Sequence, residues 1–132
     1  MSGERVLILA DDLIWSTRLV GHVRQAAGEP RAVRSTDAWT DGLAGADGAI
    51  VDLTSRAYDG LAAIATARDA GVPVLAVGQH DDAELRRRAL AAGADRVYPY
   101  RQLFEDGPRQ MARWLTGEAV ATATPVAPES PR

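Results

Sequence analysis

Two apolar runs in this chain end in acids. Residues 6–10, Val-Leu-Ile-Leu-Ala, stop at Asp11-Asp12, and the β-prone run 49–51 stops at Asp52. If both runs are neighbouring strands of one parallel sheet, three carboxylates meet where open α/β sheets place their ligands. Such a trio repels itself, and a hard divalent cation removes the conflict. Mg²⁺ takes oxygen ligands and needs only one or two carboxylates beside waters and a phosphate. A carboxylate left accessible beside it can attack a phosphoryl donor. Asp11, Asp12 and Asp52 are therefore the candidate centre, with Mg²⁺ as cofactor and one of the three carboxylates as the group that would take a phosphoryl. Each acid also has a plainer reading. Asp12 would serve as a helix N-cap and Asp52 as an acid that merely ends a strand.

The elements that must position these acids follow from the hydrophobic pattern. Residues 6–10 read as a strand buried on both faces. Trp15, Leu19, Val20, Val23, Ala26 and Ala27 recur at three and four positions, one face of a helix that Gly28 ends. Residues 31–34 predict a weak strand near an edge. Residues 37–43 predict a short helix with Asp37 as N-cap and Gly45 beyond its end. The third strand spans 49–53. An Ala-rich helix over 59–70 follows, stopped by Gly71. The fourth strand is 72–77, with Pro73 near its start, where no ladder donor is required. Asp81-Asp82-Ala83-Glu84 resembles a capping box opening a helix that runs to Ala92 and stops at Gly93. Residues 96–98 form a fifth strand. The last helix covers 103–115 and starts in earnest at Pro108. This fivefold β-α alternation predicts an α/β fold, a doubly wound five-stranded parallel sheet of flavodoxin-like type.

At 132 residues the chain holds one domain, expected over 1–116, with an Ala-, Thr- and Pro-rich tail over 117–132. A net charge of −3 argues against non-specific nucleic-acid binding, which needs clustered positive charge. Without cysteine there is no disulfide, thiolate metal site or thiol nucleophile. No apolar run approaches the roughly 20 residues that span a bilayer, and the N-terminal run is too short for a signal-peptide core. The expectation is a cytoplasmic protein that contacts neither membrane nor nucleic acid. No phosphate-binding glycine loop follows the first strand, and no Ser-His-Asp order suggests a hydrolase.

Over residues 4–116 the order of motifs resembles a response-regulator receiver domain. Residues 6–12 resemble its first strand and acidic pair. Asp52, with Asp59-Gly60 seven and eight positions later, resembles its phosphoacceptor strand and following loop. Residues 72–75 resemble its fourth strand, and 81–95, ending Gly93-Ala94-Asp95, its fourth helix and the lead into the fifth strand. The resemblance implies Asp52 as phosphoacceptor and Mg²⁺ held by Asp11, Asp12, Asp52 and the backbone carbonyl of Thr54. It implies a histidine kinase or phosphotransfer protein as donor. It also implies a downstream protein partner on the face of the fourth helix, fifth strand and fifth helix. With nothing foldable after residue 116, a stand-alone receiver is expected, a signalling module rather than an enzyme.

The departures are equally specific. Gly78 stands where the family has Ser or Thr, and Val97 where its switching aromatic sits. A tyrosine, Tyr100 or (with a one-residue deletion) Tyr98, stands for its lysine. All fifteen cationic residues are arginine, so only Arg96 or Arg101 is near enough to replace that charge. These losses favour an alternative, a phosphorylation-independent protein-interaction module. A Mg²⁺-dependent phosphohydrolase is a third, weaker option. His22 is expected on a helix surface or partly packed, and His80 beside the pocket. Arg86-Arg87-Arg88 reads as a solvated face, and Trp15, Trp39 and Trp114 as core or rim packing.

Overall fold

The computed structural model describes residues 4–78 and 82–116. Five strands, β1 (Arg5–Leu9), β2 (Glu29–Val33), β3 (Gly48–Asp52), β4 (Val74–Gly78) and β5 (Arg96–Pro99), alternate with five helices. These are α1 (Leu13–Gln25), α2 (Thr36–Leu43), α3 (Gly60–Asp69), α4 (Ala83–Ala92) and α5 (Tyr100–Thr116). All pairings are parallel, in the order β2-β1-β3-β4-β5. The doubly wound five-stranded sheet is the architecture the β-α alternation requires, with β2 at an edge. Glu29 donates its N–H inward to the Glu4 carbonyl, so its neighbour Pro30 falls on the outward side of β2. Having no N–H, Pro30 blunts that edge against strand addition.

The central strands are apolar on both sides because helices cover both faces. Leu7, Leu9, Ala49, Val51, Val74 and Ala76 pack against Trp39 and Leu43 of α2, Ile64 and Ala67 of α3, and Ala89 of α4. Their sequence neighbours Val6, Ile8, Ile50, Leu75 and Val77 meet Leu19 and Val23 of α1 and Leu103, Met111 and Trp114 of α5. The period-two alternation therefore fixes where Asp52 points: it shares parity with Ile50, on the α1/α5 side.

Several boundaries differ from the sequence expectation, each for a local reason. Ser35, not Asp37, caps α2, its Oγ accepting the Ala38 N–H at 3.2 Å. Asp82 caps α4, accepting the Leu85 N–H at 2.9 Å, and Glu84 pairs with Arg87. Asp81, His80 and the 117–132 tail lie outside the described residues. α1 ends at Gln25, and the left-handed turn that closes it falls one residue before Gly28. Ala27 takes the left-handed position (φ 68°), with Ala27 N–H bonded to the Arg24 carbonyl and Gly28 N–H to the Val23 carbonyl. Gly28 is needed for room, since a Cβ there would stand 2.8 Å from Val23 Cγ1. α5 begins three residues earlier than expected and is broken at Asp106, just before Pro108.

Candidate functional site

Asp52 ends β3 with no exposed surface, the one buried charged residue among those described. Removing a carboxylate from water costs several kcal/mol unless donors replace the lost hydration. The replacement is local and dense. Oδ1 accepts the Thr54 N–H at 2.9 Å and the Thr54 hydroxyl at 2.8 Å. The same oxygen accepts a short hydrogen bond from the Tyr100 hydroxyl, which also lies 3.0 Å from Thr54 Oγ1. Oδ2 is buried and has no partner among the described residues. Tyr58, in the loop before α3, donates its hydroxyl to the backbone carbonyls of Asp52 and Leu9 at 2.6 and 3.1 Å, tying the ends of β3 and β1 together.

Tyr100 reaches Asp52 because α5 starts directly at the end of β5. Its ring lies on Trp15 of α1, centroids 3.7 Å apart and planes at 17°. Arg18 stacks over the other part of this group, its guanidinium carbon 5.4 Å from the Trp15 centroid. The aromatic pair closes the α1/α5 side of the pocket. Burial, and then the hydrogen bond to Asp52, push the Tyr100 hydroxyl well above the ordinary tyrosine range. Burial, and then the charge of Asp52, do the same to Tyr58. Both phenols are thus firm donors at neutral pH.

The other acids are turned to different tasks. Asp12 caps α1, its Oδ1 accepting the Trp15 N–H at 2.9 Å. Asp11 faces Arg34 at the end of β2, with Nη2 3.7 Å from its carboxylate and 3.5 Å from its carbonyl. Among the described residues no three carboxylates or imidazoles come close enough to hold a metal ion. The acids expected to hold Mg²⁺ with the Thr54 carbonyl, Asp11, Asp12 and Asp52, do not gather into one group of three. The reason is physical: one oxygen of Asp52 is saturated by three donors, Asp12 is spent on a cap, and a guanidinium already sits beside Asp11. Asp52 Oδ2, to which no described group donates, is the carboxylate oxygen left to a divalent cation.

Of the two tyrosines considered for the lysine's place, Tyr100 is the one that reaches Asp52. Tyr98 instead accepts from Arg96 Nη1 at 3.3 Å, and exposed Arg101 pairs with Glu105 at 3.6 Å. Neither arginine supplies a charge to Asp52. Gly78 is sterically replaceable, as a Cβ there would make only ordinary contacts with Leu53 at 3.8 and 3.9 Å. Trp15 was expected to be packing alone. Its role as the platform under Tyr100 depends on a contact between α1 and α5 that spacing along the chain does not reveal.

No family model matches the sequence, and no curated protein does. Solved structures do match in shape. A BeF3-activated DrrB receiver domain superposes with a TM-score of 0.73 at 13% identity, covering 89% of this chain and 97% of its own. A response regulator receiver domain from Clostridium thermocellum gives 0.72 at 13% identity, over 89% and 98% of the two chains. FixJ-N gives 0.72 at 17% identity, over 96% and 100%. The fold is that of response-regulator receiver domains. On the receiver fold, the sealed acid is the C-terminal residue of the central strand, and the seal comes from the first residue of the last helix.

Proposed function

We propose that this chain is a signalling module of the two-component type whose acid pocket is permanently filled from within, so that it binds its protein partner without phosphorylation. One observation carries the reading: the Tyr100 hydroxyl, braced on Trp15, occupies Asp52 Oδ1 and leaves the carboxylate no contact with solvent. A ligand shifts a conformational equilibrium only through its differential affinity for the two states. Here an internal donor already makes the contact that an incoming group would have to make, and neither a lysine nor a hydroxyl at position 78 rewards displacing it. The partner surface in this reading is the face of α4, β5 and α5, where Arg86, Arg87 and Arg88 are all exposed.

The test is calorimetric titration of the protein with Mg²⁺ and beryllofluoride, beside incubation with acetyl phosphate followed by intact mass. The expected result is no heat of binding and no added phosphoryl mass. Saturable binding that disappears in Asp52→Asn overturns the proposal. It would favour the second reading, Asp52 as phosphoacceptor for a histidine kinase or small phosphodonor. One observation supports that alternative: among the described residues nothing donates to the buried acceptor Asp52 Oδ2, the sort of atom a binding event would satisfy.

A further inference from the structure

We propose that His22 is a proton-sensitive wedge that controls the seal over Asp52. α5 consists of two helical pieces, the chain breaking at Asp106 (φ −146°, ψ 29°). The first piece opens with Tyr100. The second carries Met111 and Trp114 into the core under the sheet. At the break, buried Gly107 lies against the ring of His22 from α1: a Cβ at position 107 would stand 2.6–2.7 Å from Cε1, Nδ1 and Nε2. The glycine is there for room. His22 Nε2 is buried with no hydrogen-bond partner among the described residues.

A neutral imidazole tolerates one unpaired acceptor nitrogen, whereas the imidazolium carries N–H on both nitrogens and must hydrate or pair each of them. The neighbouring charges offer no ready partner. Arg18, one turn earlier on α1, repels the proton, and burial opposes it more strongly still; together they hold His22 below the ordinary imidazole range. On α5, Asp106 is engaged by Arg109 at 3.6 Å and by Gln110 at 3.2 Å, and Glu105 by Arg101 at 3.6 Å. Protonation therefore parts His22 from Gly107. The piece beyond the break is anchored by Met111 and Trp114, while among the described side chains of the first piece only Leu103 is fully buried and Tyr100 is half-buried, so the first piece yields. Tyr100 moves with it, away from Trp15 and Asp52. A histidine whose folded-state pKa is lowered stabilises the fold above its unfolded value, about pH 6.5, and withdraws that contribution as pH falls towards the folded value. Mild acid opens the seal.

This rests on Tyr100 being the seal, and its test is independent of whether the opened pocket takes a phosphoryl group. Hydrogen exchange of the full chain is followed by mass spectrometry at about pH 7.5 and about pH 5.5, corrected for intrinsic rates. In the wild type, peptides over 100–106 should lose protection about tenfold more than peptides over 109–116 on acidification. In His22→Gln and His22→Phe that difference should vanish. Should both variants fail to fold, Gly107→Ala should reproduce the selective loss at the higher pH. Unchanged wild-type protection, the same loss in the His22 variants, or loss spread evenly along α5 overturns the proposal.

Discussion

Asp52 is held by donors from its own loop and by one from far along the chain, and the distant one is separable. Tyr100→Phe keeps the ring on Trp15 but removes the hydroxyl that donates to a buried carboxylate oxygen. A hydrogen bond to a charged group contributes about 1.5–3 kcal/mol, so urea unfolding should show a loss of that size. A loss below about 0.5 kcal/mol would mean that Thr54 alone satisfies the oxygen. Burial of the two phenols sets an alkaline limit. Tyr58 and Tyr100 both have hydroxyls raised above the ordinary value of 10.0. Such groups favour the fold while the unfolded phenol is still protonated, and the advantage drains away as pH rises past about 10. Stability measured by urea midpoint should therefore fall between about pH 9.5 and 11.5, and fall less in Tyr100→Phe. The acids themselves were legible as chemistry-bearing residues because each ends an apolar run. Their partners were not, since Thr54, Tyr100 and Trp15 come from three elements whose approach only the fold decides.

Elements were read from periodicity and punctuation, and they err where punctuation is ambiguous. Three helices stop as expected at or beside Gly28, Gly71 and Gly93, and the latter two glycines are left-handed, at φ 77° and 121°. α1 instead places Ala27 in that conformation, one position ahead of its glycine. A left-handed alanine costs on the order of 1 kcal/mol, of which replacement by glycine returns only part because the unfolded chain gains freedom. Ala27→Gly should raise the thermal midpoint, with a net gain of about 0.5 kcal/mol. A loss would show that the Ala27 methyl packs usefully. The α2 start was misplaced because Ser35, Thr36 and Asp37 are all cap-forming residues in a row; the choice fell to the serine, whose extended backbone (φ −130°, ψ 156°) aims Oγ at the Ala38 N–H. The broken start of α5 shows the limit of pattern reading. Pro108 announces a first helical turn, and although the pattern opens the helix at Leu103, nothing in the sequence places its start at Tyr100 or its break at Asp106.

Across the whole molecule one sheet separates two apolar layers, and neither layer exists without it. Ile50 points from β3 into the α1/α5 layer, whereas Ile64 of α3 packs on the opposite face; both are fully buried. Truncating either to alanine leaves a cavity and should cost about 2–5 kcal/mol. Because the two side chains belong to different contact clusters, their milder versions, Ile50→Val and Ile64→Val, should add to within about 0.5 kcal/mol. The layers should nevertheless unfold together, since the strands they share supply half of each. Two buried tryptophans report on the sides separately: Trp39 sits in the α2/α3/α4 layer, its Nε1 donating to the Ala63 carbonyl at 3.1 Å, and Trp114 in the α1/α5 layer. In variants keeping one or the other as the sole tryptophan, fluorescence during urea unfolding should trace coincident transitions with equal slopes once each variant's own stability is allowed for. Transitions that differ in slope, with the α1/α5 layer melting first, would show that the seal over Asp52 belongs to a subdomain able to open while the other half of the fold stays intact.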